Sequence, residues 1–151
     1  TKDTRDYNEP ALIEVAPGHL ICLHRTTTGD REARSLFWKN ESSDSGVTWS
    51  EPIPTTVLSG ACPRLLKLRD GRLLLTYGRR MPPNGIYASI SDDNGKSWGS
   101  TSWLVRKTPE PALSDHGYTS SIQLDDAHIF TTSYAQWRGI TGITGTFWKL
   151  P

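Results

Sequence analysis

Ser42-Ser43-Asp44-Ser45-Gly46-Val47-Thr48-Trp49 and Ser91-Asp92-Asp93-Asn94-Gly95-Lys96-Ser97-Trp98 are one eight-position pattern written twice, 49 residues apart. Both fit S-x-D-x-G-x-[TS]-W. The pattern describes a turn. Asp44 and Asp93 can accept backbone N–H bonds inside the loop, as Asx-turns do. Gly46 and Gly95 supply a backbone conformation that other residues reach only under strain. Trp49 and Trp98 are large packing residues, expected to begin an outer strand and to lie between sheets.

Working outward, a second element recurs three times, at Leu12–Leu23, Leu65–Thr76 and Ile122–Thr131. Each copy is a short apolar strand, a polar turn of two or three residues and a second apolar strand. Asp70-Gly71 is the strongest hairpin signal of the three, because aspartate and glycine tolerate the positive φ of tight primed turns. Asp126-Ala127 is a weaker version. The third copy has no S-x-D-x-G-x-[TS]-W turn and ends in Thr144-Gly145-Thr146-Phe147-Trp148-Lys149-Leu150, an alternating strand. Ser50 to Pro63, and the stretch around Pro109 and Pro111, read as loops between units. Strand–turn–strand units at roughly 50-residue spacing are what propeller blades look like in sequence. The expected fold is therefore all-β: a partial, three-bladed β-propeller of antiparallel four-stranded sheets. It forms one domain over 1–151, with blade-like units at about 9–52, 62–105 and 117–150.

Composition narrows the function classes. The net charge of +1 and the scattered basic residues give no field that draws nucleic acid or membrane. No apolar stretch approaches the roughly 18 residues of a membrane span. No metal-ligand spacing occurs, and neither metal nor cofactor is expected. Cys22 lies in an apolar run and reads as a buried thiol, while Cys62 precedes Pro63; a disulfide between them stays open. Six tryptophans are first of all packing residues, although sugar-binding surfaces use them too. The sequence opens at Thr1 without a methionine or a signal-peptide pattern, so the compartment is left open.

The repeated turn resembles the Asp-box of sialidases and related BNR-repeat propellers, and the resemblance runs along nearly the whole chain. Asn8-Glu9-Pro10-Ala11-Leu12, followed by Gly18 and Arg25, looks like that family's fourth blade. Arg64 through Arg80 looks like the fifth, and Gly117-Tyr118-Thr119-Ser120-Ser121-Ile122-Gln123-Leu124 like the sixth. The resemblance implies the C-terminal half of a six-bladed sialidase-like propeller. Ser42, Asp44, Gly46, Trp49, Ser91, Asp93, Gly95 and Trp98 are then structural. Three blades in an arc leave two open apolar flanks. Two copies could pair about a twofold axis into a six-bladed ring, or the chain could be one piece of a larger protein.

The resemblance also implies chemistry. Sialidases clamp a substrate carboxylate with three arginines, whose guanidinium forks match it. A tyrosine is the nucleophile, outside the two-carboxylate glycosidase scheme. A glutamate takes its proton, because a phenol with a pKa near 10 is otherwise a weak nucleophile. Position by position, Tyr118 matches the nucleophile, Glu9 its glutamate and Arg25 one clamp arginine. Each has an ordinary reading too: Tyr118 as a packing residue, Glu9 as an exposed turn residue before Pro10, and Arg25 as a strand-end cation. Where the family's next clamp arginine sits, this sequence reads Met81-Pro82-Pro83-Asn84-Gly85; Arg79 and Arg80 lie a few residues earlier and could substitute, or be solvated loop residues. The first clamp arginine and the general-acid aspartate have no match here. Asp115 and His116 lie near Tyr118 in sequence and could be near the site, but Asp115 is not assigned the acid role. The implied function is a sialidase-like glycoside hydrolase, or a fragment of one, acting on an acidic sugar once completed. The alternative is a non-catalytic propeller module that binds glycan or protein.

Overall fold

The computed structural model describes residues 5–27, 36–80, 82–99, 102–107 and 112–151, with only the backbone described at residues 112–114 and at Trp137. Among these residues there are eleven strands and no helix. β1 (Tyr7–Ala16), β2 (His19–Thr26), β3 (Leu36–Ser42) and β4 (Ile53–Leu58) form one antiparallel sheet in that order. β5 (Ala61–Lys67), β6 (Leu73–Arg79), β7 (Gly85–Ser91) and β8 (Trp103–Lys107) form a second. β9 (Ala112–Gln123), β10 (His128–Trp137) and β11 (Ile140–Lys149) form the third. The first strands of the sheets approach one another, β1 against β5 and β5 against β9, so the three sheets are arrayed as blades of a partial propeller.

Three expectations need correction. The third sheet has three strands rather than four among the described residues. The Ser50–Pro63 stretch is not a loop throughout but carries β4 and the start of β5; Pro54 falls on a sheet-edge strand and Pro63 at a bulge, the places where a missing N–H is tolerated. Trp49 and Trp98 do not begin the outer strands, which start at Ile53 and Trp103. They also differ from each other. Trp98 is 5 % exposed because it packs toward the first sheet, whereas Trp49 is 40 % exposed because no described sheet lies on its side. The expected loop around Pro109 and Pro111 lies outside the described residues.

The core forms between sheets. Ile21, Leu23 and Phe37 of the first sheet meet Leu73, Leu75 and Tyr77 of the second. On the other face of the second sheet, Leu74, Ala88 and Ile90 join Ile129 of the third. A sheet covered on both faces needs apolar or small residues at successive positions. β7 (GIYASIS) obeys this and is buried at every residue. β11 is exposed over its first four residues and then alternates between half-buried and exposed positions from Thr144 to Lys149, as a strand covered on one face should. Polar bonds, one buried and one half-buried, tie the blades further. Lys39 Nζ donates to the Gly95 carbonyl at 2.8 Å, and Lys67 Nζ to the Val15 carbonyl at 2.8 Å.

Both eight-residue turns close as their residues suggest. Asp44 Oδ1 accepts from Thr48 N at 2.8 Å and from the Ser42 hydroxyl at 2.8 Å. Asp93 Oδ1 accepts from Ser97 N at 2.8 Å and from the Ser91 hydroxyl at 2.8 Å. The hydrogen bond from the Thr48 hydroxyl, with those from Thr48 N and Ser42, holds the Asp44 carboxyl down at about 2. Burial works upward on Asp93, but the Ser97 and Ser91 bonds prevail and hold it at about 2 as well.

Candidate functional site

The site begins in the backbone. In β1, Glu9 and Pro10 together stand opposite the single residue His24, since Asn8 pairs with Arg25 and Ala11 with Leu23. In β5, Cys62 and Pro63 stand opposite Tyr77. In β9, Tyr118 and Thr119 stand opposite Ser133. Each innermost strand therefore carries the same one-residue bulge. Its first residue has positive φ in every case: 52° at Glu9, 43° at Cys62 and 49° at Tyr118. Such bulges break the pleat and re-aim a side chain. A non-glycine residue in this region costs on the order of 1–3 kcal/mol, so the surrounding sheet must hold it there.

The three side chains meet. The Tyr118 hydroxyl donates to Glu9 Oε1 at 3.2 Å. Arg25 Nη1 donates to Glu9 Oε2 at 3.0 Å. The Cys62 backbone N–H donates to the same Oε2 at 2.9 Å. Close backbone approach of β6 and β9 makes this possible: a Cβ on Gly78 would lie 2.6 Å from Gly117 Cα. Glu9, Arg25 and Tyr118, separated by up to 109 residues of sequence, thus occupy one patch.

The electrostatics follow from this geometry. Burial pulls the Glu9 carboxyl upward, but the Cys62 N–H, the Arg25 charge and the hydrogen bonds from Cys62 and Tyr118 outweigh it, leaving Glu9 below the ordinary glutamate value and ionised. Tyr118 is pushed up to about 12, first by the Cys62 thiol and then by the negative charge of Glu9. Burial likewise raises Cys62. At rest the patch is a phenol donating to a carboxylate. Moving the proton to Glu9 is uphill. Tyr118 is nevertheless 48 % exposed, so its oxygen can be reached.

The other expected residues are placed differently. Arg80 is not directed at Glu9. Its Nε donates to the His116 carbonyl at 3.0 Å, its Nη2 to the Tyr134 hydroxyl at 2.8 Å, and Nη2 pairs with Asp115 at 3.0 Å. Tyr134 lies beside Tyr118, ring centroids 5.5 Å apart. The Arg79 guanidinium carbon sits 5.7 Å from the centre of the Tyr87 ring, turned away from the patch. Trp49 and Trp98 take no part. Cys22 and Cys62 are both free thiols. No group of three or more histidine, cysteine or acidic residues among the described residues could hold a metal ion.

Sequence reasoning missed Cys62. A signal was present: Glu9-Pro10 and Cys62-Pro63 are equivalent X-Pro pairs, and the prolines mark the bulge in two of the three units. Tyr134 was missed too, because nothing in its alternating strand separates it from an ordinary outward residue.

Residues 1–131 match the model of the BNR repeat-like domain. Among solved structures, a protein of unknown function from Dyadobacter fermentans is similar with a TM-score of 0.80 and 24 % identity, over 97 % of this chain and 39 % of that one. The Bacteroides ovatus xyloglucan PUL GH43B is similar with a TM-score of 0.70 and 12 % identity, over 98 % and 28 %. An α-L-arabinanase from Penicillium chrysogenum, complexed with arabinobiose, is similar with a TM-score of 0.69 and 16 % identity, over 93 % and 45 %. A comparison with curated proteins gives no match. The chain spans less than half the length of each of these structures, and at these identities they show fold alone. That fold is the β-propeller of glycoside hydrolases among others. With most of its length matched and its sheets arrayed as blades, the chain belongs to the BNR repeat-like domain family.

Proposed function

We propose that the Glu9–Tyr118–Arg25 patch is the site of a sialidase-like glycosidase acting on an acidic sugar. Tyr118 would attack the anomeric carbon, Glu9 would take the phenolic proton, and Arg25 would hold the substrate carboxylate. The observation that carries the reading is the contact from the Tyr118 hydroxyl to Glu9 Oε1, 3.2 Å across two sheets, with Arg25 on the other oxygen. Glu9 shares its charge among Arg25, the Cys62 N–H and Tyr118, so Arg25 is not its sole counter-charge and retains attraction for a second carboxylate. The general acid and the first clamp arginine would come from a completing set of blades, in a longer protein or a second copy. Leu12 at one end of the arc, and Ile143 and Phe147 at the other, are exposed apolar residues that such blades would cover. A monomer by light scattering at micromolar concentration would count against the second copy.

The test is hydrolysis of a fluorogenic sialoside. The native protein should turn it over, and Tyr118→Phe should lose about a hundredfold or more, the loss expected when a nucleophile's oxygen is removed. No turnover above the Phe variant would remove the catalytic reading.

One observation favours a second reading, a non-catalytic carbohydrate-binding propeller. A phenol at about 12 beside an ionised carboxylate holds its proton firmly, which suits a hydrogen-bond donor better than a nucleophile. In that case Tyr118→Phe leaves no turnover to lose, while Arg25→Ala weakens binding of the acidic sugar by about tenfold to a hundredfold, the worth of one charge-assisted hydrogen bond.

A further inference from the structure

We infer that Arg80, Asp115 and Tyr134, together with the outer side of the Tyr118 ring, form a second saccharide subsite that holds an uncharged sugar joined to the acidic one. The inference deepens the reading of the Glu9–Arg25 patch as an acidic-sugar site and rests on it.

The cluster is held rigid and yet open. Arg80 is fixed at two nitrogens, by the His116 carbonyl on Nε and by Tyr134 and Asp115 on Nη2. The Tyr134 hydroxyl also donates to Asp115 Oδ1. A purely structural network of this kind would be expected to be covered. Here the Asp115 side chain is 62 % exposed and that of Arg80 33 %. Tyr134 and Arg80 both contact Asp115 at Oδ1, which leaves Oδ2 able to accept. The cavity that Tyr134 lines with His116 and Arg106 holds only about 10 Å³, room for one water and too small for a sugar.

The chemistry of the cluster selects the class of ligand. Arg80 and Asp115 neutralise each other, and the two phenols are neutral, so a second charged group gains little here. A sugar hydroxyl can donate to Asp115 and accept from Arg80 at once. The tilted Tyr118 and Tyr134 rings, 5.5 Å apart, offer an aromatic surface to the C–H face of a pyranose. A few fixed polar groups beside aromatic faces are the usual make-up of a small-molecule site. Because Tyr118 belongs to both clusters, the two sugars must be adjacent in one oligosaccharide.

Calorimetric titration with N-acetylneuraminic acid, sialyllactose and lactose tests this. With Tyr118→Phe as the background, which keeps the ring and removes turnover, sialyllactose should bind about tenfold more tightly than N-acetylneuraminic acid, the worth of one further hydrogen bond to a charged group. Adding Tyr134→Leu or Asp115→Asn should bring that ratio toward one; Asp115→Asn, on an exposed side chain, carries the test should Tyr134→Leu not fold. A ratio of one in the background protein, or a ratio unchanged by both further substitutions, would overturn the subsite. The two readings fail separately. If N-acetylneuraminic acid binds and the lactose extension adds nothing, the subsite is lost and the acidic-sugar site stands. If lactose binds and N-acetylneuraminic acid does not, the acidic-sugar site is lost and the subsite stands. Binding of none of the three would end both.

Discussion

Gly95 and Gly46 occupy the same position in two copies of one turn, but they are not equivalent. Both have positive φ, 79° and 89°. A Cβ on Gly46 would lie 3.4 Å from Leu20 Cδ1, an ordinary contact, whereas a Cβ on Gly95 would lie 2.4 Å from Ile21 Cδ1 in the neighbouring sheet. Gly46→Ala should therefore cost only the left-handed strain, about 1–2 kcal/mol. Gly95→Ala should add the displacement of a fully buried isoleucine and cost about 2–4 kcal/mol. Urea denaturation of the two variants measures the difference. At this scale the sequence was a good guide to the turns, because an aspartate, a glycine and a serine must sit where they do for the loop to close. It guided less well to the site. Glu9, Arg25 and Tyr118 could be picked out only through a resemblance, since no periodicity marks a residue at a bulge. Arg80 was picked out as well, and its partners Asp115 and Tyr134, which take up much of its bonding, lie 35 and 54 residues further along the chain, beyond the reach of local pattern.

The turn as an element is a device for holding a carboxylate ionised. Asp44 and Asp93 both sit at about 2, against roughly 4 in an unfolded chain. A folded-state value below the unfolded one means that the unfolded chain binds more protons in that window. The stabilisation is fully present above pH about 4 and is lost as pH falls through 2. In denaturant titrations the native protein should lose stability steeply between pH 4 and 2. An Asp44→Asn, Asp93→Asn double variant should start lower and show a shallower loss over the same range; an unchanged slope would remove these turns from the acid response. The strands themselves were legible in outline. Hairpins with Gly18 and Gly71 at their turns were readable from apolar runs and turn residues. β4 was not, because Pro54, with Pro52 just before the strand, reads as a loop until the strand is known to be an edge, where a missing N–H faces no partner.

For the whole molecule, the arrangement of sheets decides which polar groups are buried. His24 and His116 are 8 % and 1 % exposed, and burial holds both below the ordinary histidine value. Their neutral forms are favoured in the fold, so stability is intact above pH about 6.5 and declines as pH falls below it. Native protein should be measurably less stable at pH 5.5 than at 7.5, and a His24→Gln, His116→Gln double variant should narrow that gap. Blade packing also explains what the sequence could not distribute. The repeat predicted equal roles for Trp49 and Trp98, but burial depends on whether a neighbouring sheet lies on the relevant side, and that is a property of the arc rather than of the turn.

The arc also does what no single sheet can: it brings a bulge from each of the first and third blades to one point, with a bulge of the second between them. The ionisation of Tyr118 reports on that convergence most directly. In protein carrying tyrosine labelled with carbon-13 at Cζ, with Tyr118→Phe to assign the signal, Tyr118 should titrate at about 12; Cys62→Ala should bring it furthest down toward the ordinary value near 10, and Glu9→Gln should give a smaller fall in the same direction. A Tyr118 that titrates near 10 in the native protein, and is unmoved by Glu9→Gln, would contradict the account.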